Sequence, residues 1–264
     1  SVVHNVTMDR SRHIEGVLKK VARLKGVGMV FLTSMDFHHI VSIPLERYRR
    51  AAARAGGSPL ILLESRSLEG DWLDGYARVV QKAAENLDLS RARPGPGKVA
   101  LVGHMMDRNE GDQVGNLREF RRLLKGLGLD LVSVWLDGKN TESLRKARDA
   151  GCIISLPYAR PAARTLAKTL EIPLVEVGLP IGIEKTSRFL RQVAGMTGRR
   201  DRAEAFIDKE LRRIIPSVRE HAFRYLAGRK VSLQQDPHLA AGIVSLLDEL
   251  GMETTQVLLV GQAA

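Results

Sequence analysis

The sequence predicts an α/β protein made of stacked Rossmann-like units, each a parallel sheet covered by helices. Three observations carry this. From Lys98 to Leu190 the chain reads strand, Gly-rich turn, helix, strand, helix, strand, helix, strand, Pro-Gly turn, helix, and that alternation specifies a parallel sheet covered on both faces. The run Val27–Thr33 is continuously apolar, as a strand buried on both faces should be. Val27, Val99 and Val231 each begin a strand that breaks into a polar turn, which points to repeated units.

Each element follows from local pattern. Ser11 to Lys25 carries an apolar stripe of Ile14, Val17, Leu18, Val21 and Leu24, with Asp9 or Ser11 as N-cap and Gly26 and Gly28 as stops. Val27–Thr33 is a strand, Pro44–Ala55 a helix, Pro59–Leu63 a strand, and a helix opening at Glu69 or Asp71 runs to Asn86. Arg91 to Gly97, with its Pro94-Gly95-Pro96-Gly97, reads as a linker. The next unit has strands Val99–Gly103, Leu129–Trp135, Cys152–Leu156 and Leu174–Val177. Leu117, Phe120, Leu123, Leu124 and Leu127 recur at helical spacing before Gly128. Asp201 to Tyr225 is a long helix that Pro216 should kink and Gly228 stops. Val231–Gln235 and Thr254–Val260 are strands flanking a helix from His238 to Leu250 capped by Asp236-Pro237. The expected division is a first α/β unit over 1–97, incomplete at its N-terminus, a second over 98–195, and over 196–264 a long helix with the start of a third.

Composition narrows the function classes. The chain has 264 residues, enough for two domains with a sizeable core, and 44% of them are hydrophobic. No apolar run approaches the about 18 residues of a membrane span. The N-terminus lacks a signal pattern, so the expectation is a cytoplasmic protein without a membrane partner. The net charge is +11, with basic residues grouped at Arg47, Arg49, Arg50 and Arg54, at Arg118, Arg121, Arg122 and Lys125, at Arg199, Arg200 and Arg202, and at Arg212 and Arg213. Aromatics are 5% and do not interleave with these groups as stacking platforms would. That argues for solvated helix faces and against nucleic acid. A single cysteine excludes a disulfide framework and an intrachain zinc ribbon.

Ligands of such sheets sit beyond the carboxyl ends of the strands, so the turns there are the candidate site. His104, Asp107, Glu110, Asp112 and Asn116 share one turn, where Gly111 and Gly115 let backbone amides approach a ligand and the following helix N-terminus favours an anion. Asp112 or Asn116 could equally serve as the helix cap. Gly182 and Thr186, at a second helix entry, should face the same cleft if the sheet is doubly wound. Tyr158 follows the third strand, where its ring suits either a planar ligand or rim packing. His38 and His39 are adjacent, so in an extended segment they point oppositely and do not share a metal. Cys152 lies inside an apolar strand and reads as a small buried hydrophobe. No metal site, Walker A lysine loop, nucleophile elbow or zinc-protease pair is present in the pattern. The catalytic residues stay unknown.

Two sets of residues carry a resemblance. One is Gly111-Asp112, Gly115-Asn116-Leu117, Glu119-Phe120, Leu123-Leu124 and Leu127-Gly128-Leu129. The other is Ser155-Leu156-Pro157-Tyr158-Ala159, Ala163, Leu166, Leu170, Ile172-Pro173, Leu179-Pro180-Ile181-Gly182-Ile183, Thr186 and Phe189-Leu190. In order and spacing they resemble the nitrogenase component 1 family, which includes the molybdenum-iron protein, cofactor-assembly scaffolds and light-independent protochlorophyllide reductases. The resemblance implies an oxidoreductase subunit that holds substrate or a metallocofactor and pairs with itself or a homologous subunit. It also implies electrons delivered by an ATP-dependent iron protein, and an iron–sulfur cluster that the single Cys152 does not support. Met35 stands where the family's first-domain cysteine is expected. The family's members are usually longer at both ends, so the expectation is a fragment or a truncated member. The alternative is a cluster-free homologue that binds a ligand, serves cofactor assembly or is structural.

Overall fold

The computed structural model describes residues 11–33, 45–63, 70–105 and 113–262. Its contacts divide the chain into two compact units, Ser1–Asp71 and Trp72–Ala264. The first holds α1 (Ser11–Ala22), β1 (Val30–Thr33), α2 (Leu45–Ala55) and β2 (Leu60–Leu63). The two strands pair in parallel from Val30 with Leu60 to Thr33 with Leu63, around buried Tyr48, Ala51, Leu60 and Ile61. α1 ends at Ala22, short of the expected Lys25. The cause is the turn before β2. Ser58 N–H donates to the Ala22 carbonyl at 2.8 Å, and Gly57, at φ +112, passes so close that a Cβ would collide with that carbonyl.

The second unit runs α3 (Trp72–Asn86), β3 (Gly95–Val102), α4 (Gln113–Gly126), β4 (Asp130–Val134), α5 (Thr141–Arg145), β5 (Ala150–Ser155), α6 (Arg160–Leu170), β6 (Leu174–Glu176), α7 (Gly182–Thr197), α8 (Arg200–His221), β7 (Lys230–Gln235), α9 (Pro237–Glu249) and β8 (Glu253–Leu259). Four strands form a parallel sheet in the order β4-β3-β5-β6. Val99, Ala100, Leu101 and Val102 are each 0% exposed, which is why β3 reads as an unbroken apolar run rather than an alternating one. Its neighbours in the core include Cys152 and Ile154 of β5, Leu124 and Leu127 of α4, Phe189 and Val193 of α7, and Ile207 of α8. Burying each large side chain contributes about 1.5–3 kcal/mol.

One sequence reading is corrected. Gly95-Pro96-Gly97 is not a linker but the opening of β3, where Gly95 pairs with Ala150 and the register shifts before Val99. Pro and Gly are tolerated at a strand start and bulge of this kind. The helix that contains Pro216 spans Arg200–His221, and a π-helical turn, Ala222–Leu226, follows it. β7 and β8 are parallel and joined by α9, a βαβ unit. No described helix is long and apolar enough to cross a membrane.

Candidate functional site

The strand order sets the site. From β3 the chain crosses to β4 on one side, and from β5 it crosses to β6 on the other. The exits of β3 and β5 therefore diverge at a topological switch point, where open α/β sheets form a crevice. Gly103 makes the two exits meet: at φ +85 its Cβ position lies 2.7 Å from the Leu156 carbonyl oxygen and 3.0 Å from the Ala159 nitrogen. A side chain there would wedge the exits apart.

A cavity of about 590 Å³ opens beyond this point. One wall is the sheet side: His104 after β3, Asn116, Glu119 and Phe120 of α4, Leu156 and Tyr158 after β5, and Leu179 to Ile181 after β6. The other wall comes from the carboxyl ends of β7 and β8, through Gln234, Gln235, Asp236, Leu239 and Val260. Trp72, at the start of α3, also reaches it.

Local interactions fix most of these groups. The Tyr76 hydroxyl donates to the His104 carbonyl at 2.7 Å, and burial raises the Tyr76 pKa. The His104 ring is 6% exposed and meets Phe120 edge-on at 6.0 Å. The Tyr158 hydroxyl donates to both Asp236 oxygens, at 3.1 and 3.0 Å. Burial first, then the Asp236 charge, pushes the Tyr158 pKa well above its ordinary value, so this hydroxyl keeps its proton. Asp236 also N-caps α9 by accepting from His238 N–H at 2.9 Å and Leu239 N–H at 3.1 Å. The His238 ring stands edge-on to Tyr158 at 5.2 Å, and desolvation lowers its pKa. Glu119 is held bidentately by Arg122, at 2.8 and 2.7 Å, which lowers its pKa.

Of the residues expected at the site, His104, Asn116 and Tyr158 come together on this cavity. Asp112 lies outside the described residues, as do Met35, His38 and His39. Gly182 and Thr186 do not line the cavity. The Gly182 Cβ position is 2.9 Å from Glu249 Oε2, and Glu249 caps α7 by accepting from Ile183 N–H at 2.6 Å and Glu184 N–H at 2.8 Å. Thr186 turns its hydroxyl back to the Pro180 carbonyl at 3.0 Å. This helix entry is thus filled by the protein's own carboxylate. Sequence reading missed Gly103, Asp236 as a wall residue, and Gln234 and Gln235. Gly103 was legible as the glycine closing an apolar run; the others depend on contacts far along the chain.

An iron–sulfur cluster does not fit the described residues. Cys152 is 3% exposed inside β5, and burial pushes its thiol up to about 11, away from the thiolate that iron needs. Among the described residues no three His, Cys, Asp or Glu side chains converge as metal ligands.

A parallel α/β chain with its cavity beyond the carboxyl edge at a switch point is a ligand-holding class of fold. Comparison with known proteins gives the family: residues 4–262 match the nitrogenase component 1 type oxidoreductases, and the chain belongs to that family. It is 35% identical over 266 residues to the nitrogenase molybdenum-iron protein beta chain of Methanothermobacter marburgensis, covering 92% of this chain and 57% of that protein. It is 28% identical over 260 residues to the beta chain of Acidithiobacillus ferridurans, covering 87% of this chain and 48% of that one. The chain thus spans about half the length of these relatives. Its fold is similar to solved nitrogenase Cp1 at pH 6.5, with a TM-score of 0.73 and 22% identity over 93% of this chain and 57% of the other.

Proposed function

We propose that this chain is the ligand-holding part of a component 1 type subunit in a two-component reductive system. It holds substrate or a cofactor in the cavity bounded by His104, Asn116, Tyr158 and Asp236. A homologous subunit or second copy stands beside it, and an ATP-dependent iron protein delivers the electrons. The observation that carries the reading is the cavity at the switch point of the β4-β3-β5-β6 sheet. Membership of the family supplies the reductive context. What this chain's residues contribute is binding and orientation: a protonated Tyr158 hydroxyl, the amides of the wall, and exclusion of water by the apolar side chains.

A second reading is favoured by the burial of Cys152: a cluster-free homologue that binds its ligand, or serves cofactor assembly, without taking electrons itself. One experiment separates the two. The natural gene product is purified anaerobically, and its iron, acid-labile sulfide and visible absorption are measured. Iron and sulfide in cluster stoichiometry, bleached by the iron protein with ATP, support the reductive subunit. A colourless, iron-free, folded protein supports the cluster-free homologue.

A further inference from the structure

The character of the cavity's charges goes beyond the family's reductive role, and the inference drawn from it rests on the ligand-holding reading above. Among the described lining residues the ionised side chains are Glu119 and Asp236. Each already has partners within the protein. Glu119 is bound by two guanidinium nitrogens of Arg122, whose third reaches Glu210 at 2.8 Å. Asp236 is satisfied by the Tyr158 hydroxyl and two backbone N–H groups at the start of α9. No Lys or Arg lines the cavity among the described residues.

An ion brought into such a space loses its hydration without gaining an opposite charge, and that penalty exceeds the cost of burying a neutral polar group that finds hydrogen bonds. The wall instead offers Asn116, Gln234 and Gln235, set among Trp72, Phe120 and Leu179. Amides both donate and accept hydrogen bonds, and the apolar groups take the ligand's frame. We infer that the cavity takes an uncharged organic ligand, with carbonyl, hydroxyl or amide groups on an apolar frame, rather than an anion.

Three probes of one shape test this: naphthaleneacetamide, naphthaleneacetate and naphthylmethylammonium. Each is titrated by saturation-transfer NMR at about pH 8, where an ordinary imidazole is neutral. The protein is compared with Asn116→Trp, which fills the mouth from an exposed helix position. A second comparison is Val114→Trp on the same helix; Val114 is 66% exposed and does not line the cavity. The expected result is that the acetamide binds about tenfold or more tightly than either ion. Its binding is lost in Asn116→Trp and kept in Val114→Trp. An acetate or ammonium that binds as well or better, and is lost in Asn116→Trp, overturns the uncharged ligand while leaving the site standing. Binding unaffected by Asn116→Trp, or no binding of any probe, overturns the site and this inference together.

Discussion

At the scale of single residues, the buried pairing of Tyr158 with Asp236 joins the sheet side of the cavity to the segment that follows it. Replacing Tyr158 by Phe leaves a buried carboxylate with one donor fewer. Hydrogen bonds to charged groups contribute about 1.5–3 kcal/mol, so Tyr158→Phe should lower unfolding free energy by that amount in urea titrations, with little change in circular dichroism. An unchanged midpoint would show the pair to be energetically idle. Cys152 gives a pH dependence. Its thiol is raised from 9.0 to about 11 by burial, so above the ordinary value the unfolded chain has released a proton that the folded chain still holds. Stability is complete below that value and falls as pH rises through the window from 9.0 to about 11. The Cys152→Ala protein should lose less stability than the natural one across this window, measured by urea unfolding at both ends. Parallel losses would remove Cys152 as the cause.

At the scale of elements, α7 begins where α9 ends. The Glu249 carboxylate takes two N–H groups of the first turn of α7, where the helix dipole also favours a negative charge. Gly182, at φ +81, lies against that carboxylate, so Gly182→Val is expected to act on folding. Removing a cap of this kind costs about 0.5–2 kcal/mol. Glu249→Ala and Gly182→Val should both lower the melting temperature, and the double variant should lose less than the sum of the two. Strict additivity would show that the two residues act independently.

What the sequence disclosed follows from range. The strands Cys152–Leu156 and Leu174–Val177 and the helix Leu117–Leu127 were legible, because burial imposes its period on residues a few positions apart. Cys152 as a buried hydrophobe was legible for the same reason. The part of the site that Tyr158 makes with Asp236 joins residues 78 apart in sequence, and the Glu249 cap spans 66. No local pattern encodes either, so Tyr158 could be read as a ligand contact or as rim packing, and nothing near Gly182 in sequence pointed to Glu249. The Gly95–Gly97 strand start misled for the opposite reason: its local chemistry says turn, while pairing with Ala150 holds it in the sheet.

At the scale of the whole molecule, six of the grouped arginines meet carboxylates. Arg47 meets Glu15, Arg49 and Arg50 meet Glu46, Arg122 meets Glu119 and Glu210, Arg212 meets Asp208, and Arg213 meets Glu210. The formal charge of +11 is the excess left after such pairs, carried by basic residues without a carboxylate of their own.

The two walls of the cavity differ in depth of burial. β3 is sealed on both faces, whereas β7 and β8 leave Val257, Leu258 and Leu259 between 40% and 54% exposed. Segments with few buried contacts open at free energies far below that of global unfolding. On the ligand-holding reading, a bound molecule is expected to meet one wall sealed on both faces and one that opens more readily. Its residence time should then follow local opening of residues 230–259, which hydrogen exchange of the β7 and β8 amides would check. Evolution can then lengthen or shorten retention of the ligand by adjusting cover over a single βαβ unit, without disturbing the sheet that orients it.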